Sequence, residues 1–283
     1  LPAVPALRPT LLTAAAMLAF AGNSLLCRAA LAGGAIDAAS FTGVRVLSGA
    51  VTLWALSGIR SRSLALGGDW TSALALFGYA AGFSFAYVSL PAGTGALLLF
   101  GAVQATMIAG ALRSGERFGW TQWLGSGLAI AGLVGLVLPG LGAPPLLGSG
   151  LMLGAGLAWG VYSLRGRGAG DATAKTAGNF VRAVPMALVV AVAWHDHRVL
   201  DPRGVWLAIA SGAVASGLGY AIWYTVLPSL RAGTAATVQL CVPVIAAFGG
   251  VVLLAEPVTP RLVLATLVIL GGIALFVTTR RPG

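Results

Sequence analysis

Seven acidic residues, two histidines and two cysteines are all that 283 residues offer to acid-base, metal or thiol chemistry. Charged residues make up 8% of the chain, against about a quarter in an ordinary soluble domain, and hydrophobic ones 58%. With a mean hydropathy of +0.93, the chain is expected to live in a bilayer. Cys27 and Cys241 sit inside apolar runs and read as small hydrophobes. No CxxC or His-rich pattern points to a metal, and no cofactor is expected. Asp37, Asp69, Glu116, Asp171, Asp196, Asp201 and Glu256 all fall at the ends of apolar runs or in loops, and His195 and His197 share a loop with Trp194. A membrane interior without carboxylate or imidazole lacks the usual proton relay. No Ser-His-Asp set or pair of carboxylates lies beside a span, which argues against a membrane-embedded enzyme. The seventeen basic residues are scattered singly, which argues against a nucleic-acid surface.

What the chain has in abundance is long apolar sequence. A bilayer core of about 30 Å takes roughly 20 helical residues, and that length cuts the chain into ten spans. Residues 70–112 and 118–164 carry no charge and hold two spans each, the second pair joined by PGLGAPPLLG. The first apolar run past Arg8 continues for a full span, so a cleaved signal peptide is not expected. Runs of this length favour helices over barrel strands, which alternate over about ten residues. With the N-terminus inside, Arg8, Arg60, Arg62, Arg113, Arg117, Arg165, Arg167, Lys175, Arg231, Arg280 and Arg281 face the cytoplasm. Arg28, Arg198, Arg203 and Arg261 alone lie outside, which predicts both termini cytoplasmic.

The spans repeat. Moving residues 92–138 forward by 140 positions superposes Ala92, Gly93, Thr94, Gly110, Glu116, Leu124, Gly132 and Val137 on identical residues. GFSFAYVSLP ending at Pro91 matches GYAIWYTVLP ending at Pro228, LAFAGNSLLCR at 18–28 matches LAWGVYSLRGR at 157–167, and Arg45 matches Arg182. Five spans per copy force the second copy upside down. The expected architecture is an all-α integral membrane protein of ten transmembrane helices. They form two inverted five-helix repeats, residues 1–145 and 146–283, which can open a central site to either side.

The small-aromatic-small openings AFAGNS and AWGVYS, the paired Arg45 and Arg182, and Glu116 and Glu256 each followed by a glycine-bearing helix carry a resemblance. The chain resembles the EamA-type transporters of the drug/metabolite transporter superfamily, and within it looks most like the YddG-type aromatic amino acid exporters. The resemblance implies a multi-pass protein of the bacterial inner membrane that exports small molecules. It departs from the family pattern at Val103, followed by Gln104, where a proline is usual; Pro243 fits.

Interior polar and aromatic residues are the binding candidates, since each is costly in lipid unless paired, hydrated or used. Asn23, Gln104 and Gln239 can meet an ammonium and a carboxylate alike, although an interhelical hydrogen bond is the plainer use of Asn23. Tyr79 and Phe83 share one helix face with Tyr87, and Tyr220 shares one with Tyr224. Trp159 and Tyr162 stand one turn apart at positions matching Phe20 and Asn23. Tyr79, Phe83, Trp159, Tyr162 and Tyr220 lie deep enough to wall a cavity, whereas Tyr87 and Tyr224, near span ends, are expected in an interfacial belt. Arg45 and Arg182 are expected to snorkel to the nearest interface; capture of a substrate carboxylate, or a gating pair, is the other use. Glu116 and Glu256 are expected to be structural, at a helix start or beside an arginine.

Aromatic walls with a few amides suit a flat apolar side chain on a zwitterionic head. The expected function is export of aromatic and other neutral amino acids by alternating access, facilitative rather than driven through a buried carboxylate. A broad exporter of hydrophobic drugs or metabolites is the rival. A non-transporting scaffold would not need matched interior aromatics in two halves.

Overall fold

The computed structural model describes residues 7–61, 66–166, 171–230 and 238–278. The second Ala-Gly-Thr at 232–234, together with Arg62, Arg167, Arg231, Arg280 and Arg281 and the side chain of Arg60, lies outside them. Among the described residues ten helices of more than one turn follow one another: α1 Leu7–Ala32, α2 Ala38–Ser61, α3 Trp70–Tyr87, α4 Ala92–Arg113, α5 Trp120–Val137, α6 Leu146–Arg165 and α7 Ala172–Ala193. They continue with α8 Pro202–Ser229, α9 Cys241–Leu254 and α10 Pro260–Thr278. Eight are long and apolar enough to cross a membrane; α3 and the shorter α9 are the other two. No strand occurs among the described residues beyond one antiparallel bridge, Ile36 to Leu200.

The scarce carboxylates explain where several helices begin. Asp37 accepts from Ser40 N–H at 2.9 Å, Asp69 from Ser72 N–H at 2.9 Å, Asp171 from Thr173 N–H at 2.8 Å and Asp201 from Arg203 N–H at 2.8 Å. Four of the seven acids therefore cap the helix that they themselves precede, satisfying helix-start N–H groups that have no partner within the helix itself. Exposed tryptophans mark helix ends: Trp70, Trp120 and Trp206 open α3, α5 and α8, as an interfacial belt requires. Between those ends the outward faces are apolar, with Leu253, Leu264 and Leu267 all about two-thirds exposed or more.

The most extensive contacts run α5 to α10, α2 to α7, α3 to α6, α4 to α6, α2 to α8, α4 to α9, α3 to α7, α1 to α9 and α1 to α8. Exchanging each helix with the one five places on returns the same set. Close approach depends on small residues: a Cβ at Gly125 in α5 would meet Gly272 O of α10 at 2.6 Å. α8 is not a uniform helix. Its middle, Ala210–Leu218, is wound as a π-helix between α-helical ends, and such insertions concentrate at functional sites.

Candidate substrate cavity

One end of the bundle is closed by chain crossings. Arg28 of α1 meets Glu256, just past α9, with Nε to Oε1 at 2.9 Å, and both side chains are largely buried. Arg28 Nη1 also donates to the carbonyls of Tyr87 and Val88 at 3.1 and 3.0 Å, while Glu256 Oε2 accepts from Ala92 N–H at the start of α4. Four helices are thus tied together by one ion pair. Glu256 is aimed there by Ala255, which takes the left-handed region at φ 53° and lets Glu256 N–H reach Gly250 O at 3.0 Å. Beside this clasp, Asp37 N–H donates to Val199 O at 3.2 Å and Asp201 N–H to Ala35 O at 2.8 Å, which joins the α1–α2 and α7–α8 connections.

Away from the clasp a cavity of about 990 Å3 runs between the helices and opens toward Asp69, Arg165, Asp171, Lys175 and Pro228. Tyr79, Phe83, Trp159, Tyr162 and Tyr220 all line it, and so do Asn23, Gln104 and Gln239. Four helices from both halves of the chain, α1, α3, α6 and α8, supply the rings and Asn23. Trp159 lies near-parallel to Tyr162 at 5.2 Å and to Tyr220 at 5.3 Å between centroids, with Tyr79 tilted against it at 4.8 Å. Offset stacking of this kind holds rings in place by about 0.5–1.5 kcal/mol per pair beyond burial.

The polar groups are wired together at the cavity floor. Tyr79 Oη accepts from Arg45 Nη2 at 2.9 Å and from Asn23 Nδ2 at 3.2 Å, and Asn23 Oδ1 accepts from Ser211 Oγ at 2.6 Å, inside the π-helical stretch. The interhelical hydrogen bond and the cavity position of Asn23 coexist. Higher up, Tyr162 Oη meets Thr176 Oγ1 at 3.3 Å and Asn179 Nδ2 at 3.4 Å, while Asn179 Oδ1 takes Asp69 N–H at 2.9 Å. At the mouth Arg165 binds Asp69 at 2.9 Å. Two hydrogen bonds from Ser72, with Arg165 beside them, hold the Asp69 carboxyl down at about 2.

Four expectations are corrected. Arg45 does not snorkel: it is 1% exposed, and its guanidinium lies over the rings of Phe83 and Tyr79, 4.7 and 5.1 Å from their centroids. The rings of α3 supply a cation–π seat that the sequence of α2 alone does not reveal. Arg182 donates to Gly67 O at 2.7 Å and to Gly178 O at 3.0 Å, so it fixes the approach to α3 instead of reaching for lipid headgroups. Tyr87 is fully buried, because the turn after α3 folds it under α4, where its hydroxyl donates to Ala92 O at 3.1 Å and Gly95 leaves room for its ring. Tyr224 lines the cavity mouth, half-buried, and is no belt residue either. Phe20, Trp223 and Asn179 also line the cavity. Phe20 was signalled by its match to Trp159, whereas Asn179 carries no signal in spacing or periodicity.

The EamA-like transporter family matches residues 7–138 and, a second time, residues 146–278. The chain belongs to that family. An EamA-like protein is a transporter and not an enzyme, so the aromatic cavity sits in a multi-pass membrane protein that moves a small molecule. The uncharacterised protein PA1977 of Pseudomonas aeruginosa is 56% identical over 278 residues, covering 98% of this chain and 97% of that one. The uncharacterised transporter YoaV of Bacillus subtilis is 32% identical over 81 residues, 28% of each chain. A solved crystal structure superposes with a TM-score of 0.67 over 96% of this chain and 99% of its own, at 20% identity, which speaks to the fold.

Proposed function

We propose that the protein exports aromatic and other neutral amino acids across the bacterial inner membrane by alternating access. The observation that carries this reading is the stacked Tyr162–Trp159–Tyr220 column set beside the Asn23–Tyr79 hydrogen bonds in the lining of one cavity. An aromatic side chain gains apolar contact on the first, and a zwitterionic head finds donors and acceptors at the second. The likeness to aromatic amino acid exporters noted in the sequence agrees with it.

Residues 1–145 and 146–283 act as two inverted repeats that rock about this cavity. The exchange symmetry of the helix contacts and the double match of the family support that division. The basic bias of the loops puts both termini and the open mouth on the cytoplasmic side, with the Arg28–Glu256 clasp facing outward. Movement is facilitative, because the carboxylates that line the cavity, Asp69 and Asp171, stand at its mouth as helix caps. A volume near the upper end of small-molecule sites favours a broad exporter of hydrophobic drugs or metabolites as the second reading.

Uptake of labelled Trp, Phe, Thr and Glu into proteoliposomes, with and without an imposed proton gradient, tests the reading. Saturable Trp and Phe flux indifferent to the gradient supports it. Flux of hydrophobic drugs without amino acid flux moves the assignment to the second reading.

A further inference from the structure

Arg45 is the one charge set deep beside the cavity among the described residues. The charged residues on the cavity wall, Asp69, Arg165, Asp171 and Lys175, all stand at the mouth. Arg45 is 1% exposed and forms no ion pair among the described residues; its neighbours are the Phe83 and Tyr79 rings. Nη2 is spent on Tyr79 Oη, and Nη1 is buried with no hydrogen-bond partner. A guanidinium held this way is expensive, since removal from water is repaid here only by two ring faces and one phenol. A purely structural role at this position could be filled by a long apolar side chain such as methionine at lower cost. The charge is therefore suited to a partner that arrives from outside the protein.

Its effect reaches the cavity through one atom. Tyr79 lines the cavity and its oxygen receives both Arg45 and Asn23, which leaves the phenol proton as the group it can offer a guest. A phenol bonded to a guanidinium is a stronger donor than a free one. We propose that Arg45 and Tyr79 form an anion-selective floor, at which the substrate's carboxylate docks on the Tyr79 hydroxyl while Arg45, one side chain behind, rejects molecules of net positive charge. This deepens the reading of the cavity as the transport site and rests on it. The consequence is a filter on charge: carboxylates and zwitterions enter, and organic cations with the same aromatic body do not. At an effective dielectric constant near 20, one charge acting across a side chain's width corresponds to a preference of about tenfold or more.

The test is displacement of labelled tryptophan from the purified full-length protein by four indoles: unlabelled tryptophan, indole-3-propionate, tryptamine and indole itself. They share a ring and differ in charge. The floor predicts that tryptophan and indole-3-propionate displace the label and that tryptamine is about tenfold or more weaker than both. Arg45→Lys keeps that order because it keeps the charge, while Arg45→Gln brings tryptamine level with indole-3-propionate. Tyr79→Phe, which keeps the charge but removes the donor, weakens tryptophan and indole-3-propionate while tryptamine gains nothing. The wild-type ranking needs no variant, so misfolding of Arg45→Gln does not blunt it. Tryptamine binding as tightly as indole-3-propionate to the wild type overturns the anion-selective floor and leaves the aromatic site standing. No binding of labelled tryptophan overturns the proposed substrate class, and the floor with it.

Discussion

Arg28 Nε and Glu256 Oε1 stand 2.9 Å apart across 228 positions of sequence, and the same carboxylate holds the first N–H of α4. For the cavity to open at this end, both contacts must part together. Cys27, adjacent to Arg28 and fully buried, is a native reporter. In a Cys241→Ser background, Glu256→Ala is expected to raise the rate at which a membrane-impermeant maleimide labels Cys27 severalfold from the clasp side. An unchanged rate would show that the pair does not close that end.

Ala255 takes a left-handed conformation, at φ 53°, to deliver Glu256 to the clasp. That region is comfortable for glycine and costs an alanine about 1 kcal/mol. Ala255→Gly is expected to raise the stability of the purified protein by about 0.5–1 kcal/mol without altering flux. Thermal unfolding in detergent checks it, and a lower melting temperature would contradict the strain.

Arg182 bonds two backbone carbonyls, at Gly67 and Gly178, and does not line the cavity. Arg182→Gln should lose about 1–3 kcal/mol of stability while leaving the ranking of substrates unchanged. Its repeat partner Arg45 should behave in the opposite way. Ranking measured for both variants against the same substrates separates the two roles.

Asp69 is held down at about 2 by Ser72 and Arg165. A carboxyl depressed on folding stabilises fully above its unfolded value, near 4, and loses that contribution as pH falls through the folded value. The melting temperature difference between wild type and Asp69→Asn should therefore be flat from about pH 8 to about pH 5 and shrink below about pH 4. The side chain is half exposed, so the difference should be small throughout.

Much of the cavity lining could be read from the sequence because helical period carries it. Tyr79 and Phe83 share a face by spacing, and the repeat pairs Phe20 and Asn23 with Trp159 and Tyr162; the structure brings all six, with Tyr220 and the two glutamines, to one cavity. What escaped depends on contacts between distant helices. Nothing in α2 indicates that α3 offers Arg45 two ring faces, and nothing in α3 indicates that Gly95 makes a slot for Tyr87. Asn179 matters through a tyrosine on α6 and a backbone N–H before α3, which no local pattern encodes. The carboxylates were legible as helix-end residues by position; that one of them bolts four helices together was not.

The central claim, that an aromatic substrate is carried in the Trp159 cavity, is tested most directly by tryptophan counterflow in proteoliposomes of wild type, Trp159→Phe and Trp159→Ala. Trp159 touches three rings at once, and loss of one or two such contacts is worth about tenfold in affinity. Saturable flux in the wild type, largely kept by Trp159→Phe and lost to about a tenth or less in Trp159→Ala, is the predicted result. Wild-type flux that Trp159→Ala leaves intact would place the substrate elsewhere, and no tryptophan counterflow in the wild type would remove aromatic amino acids as the cargo.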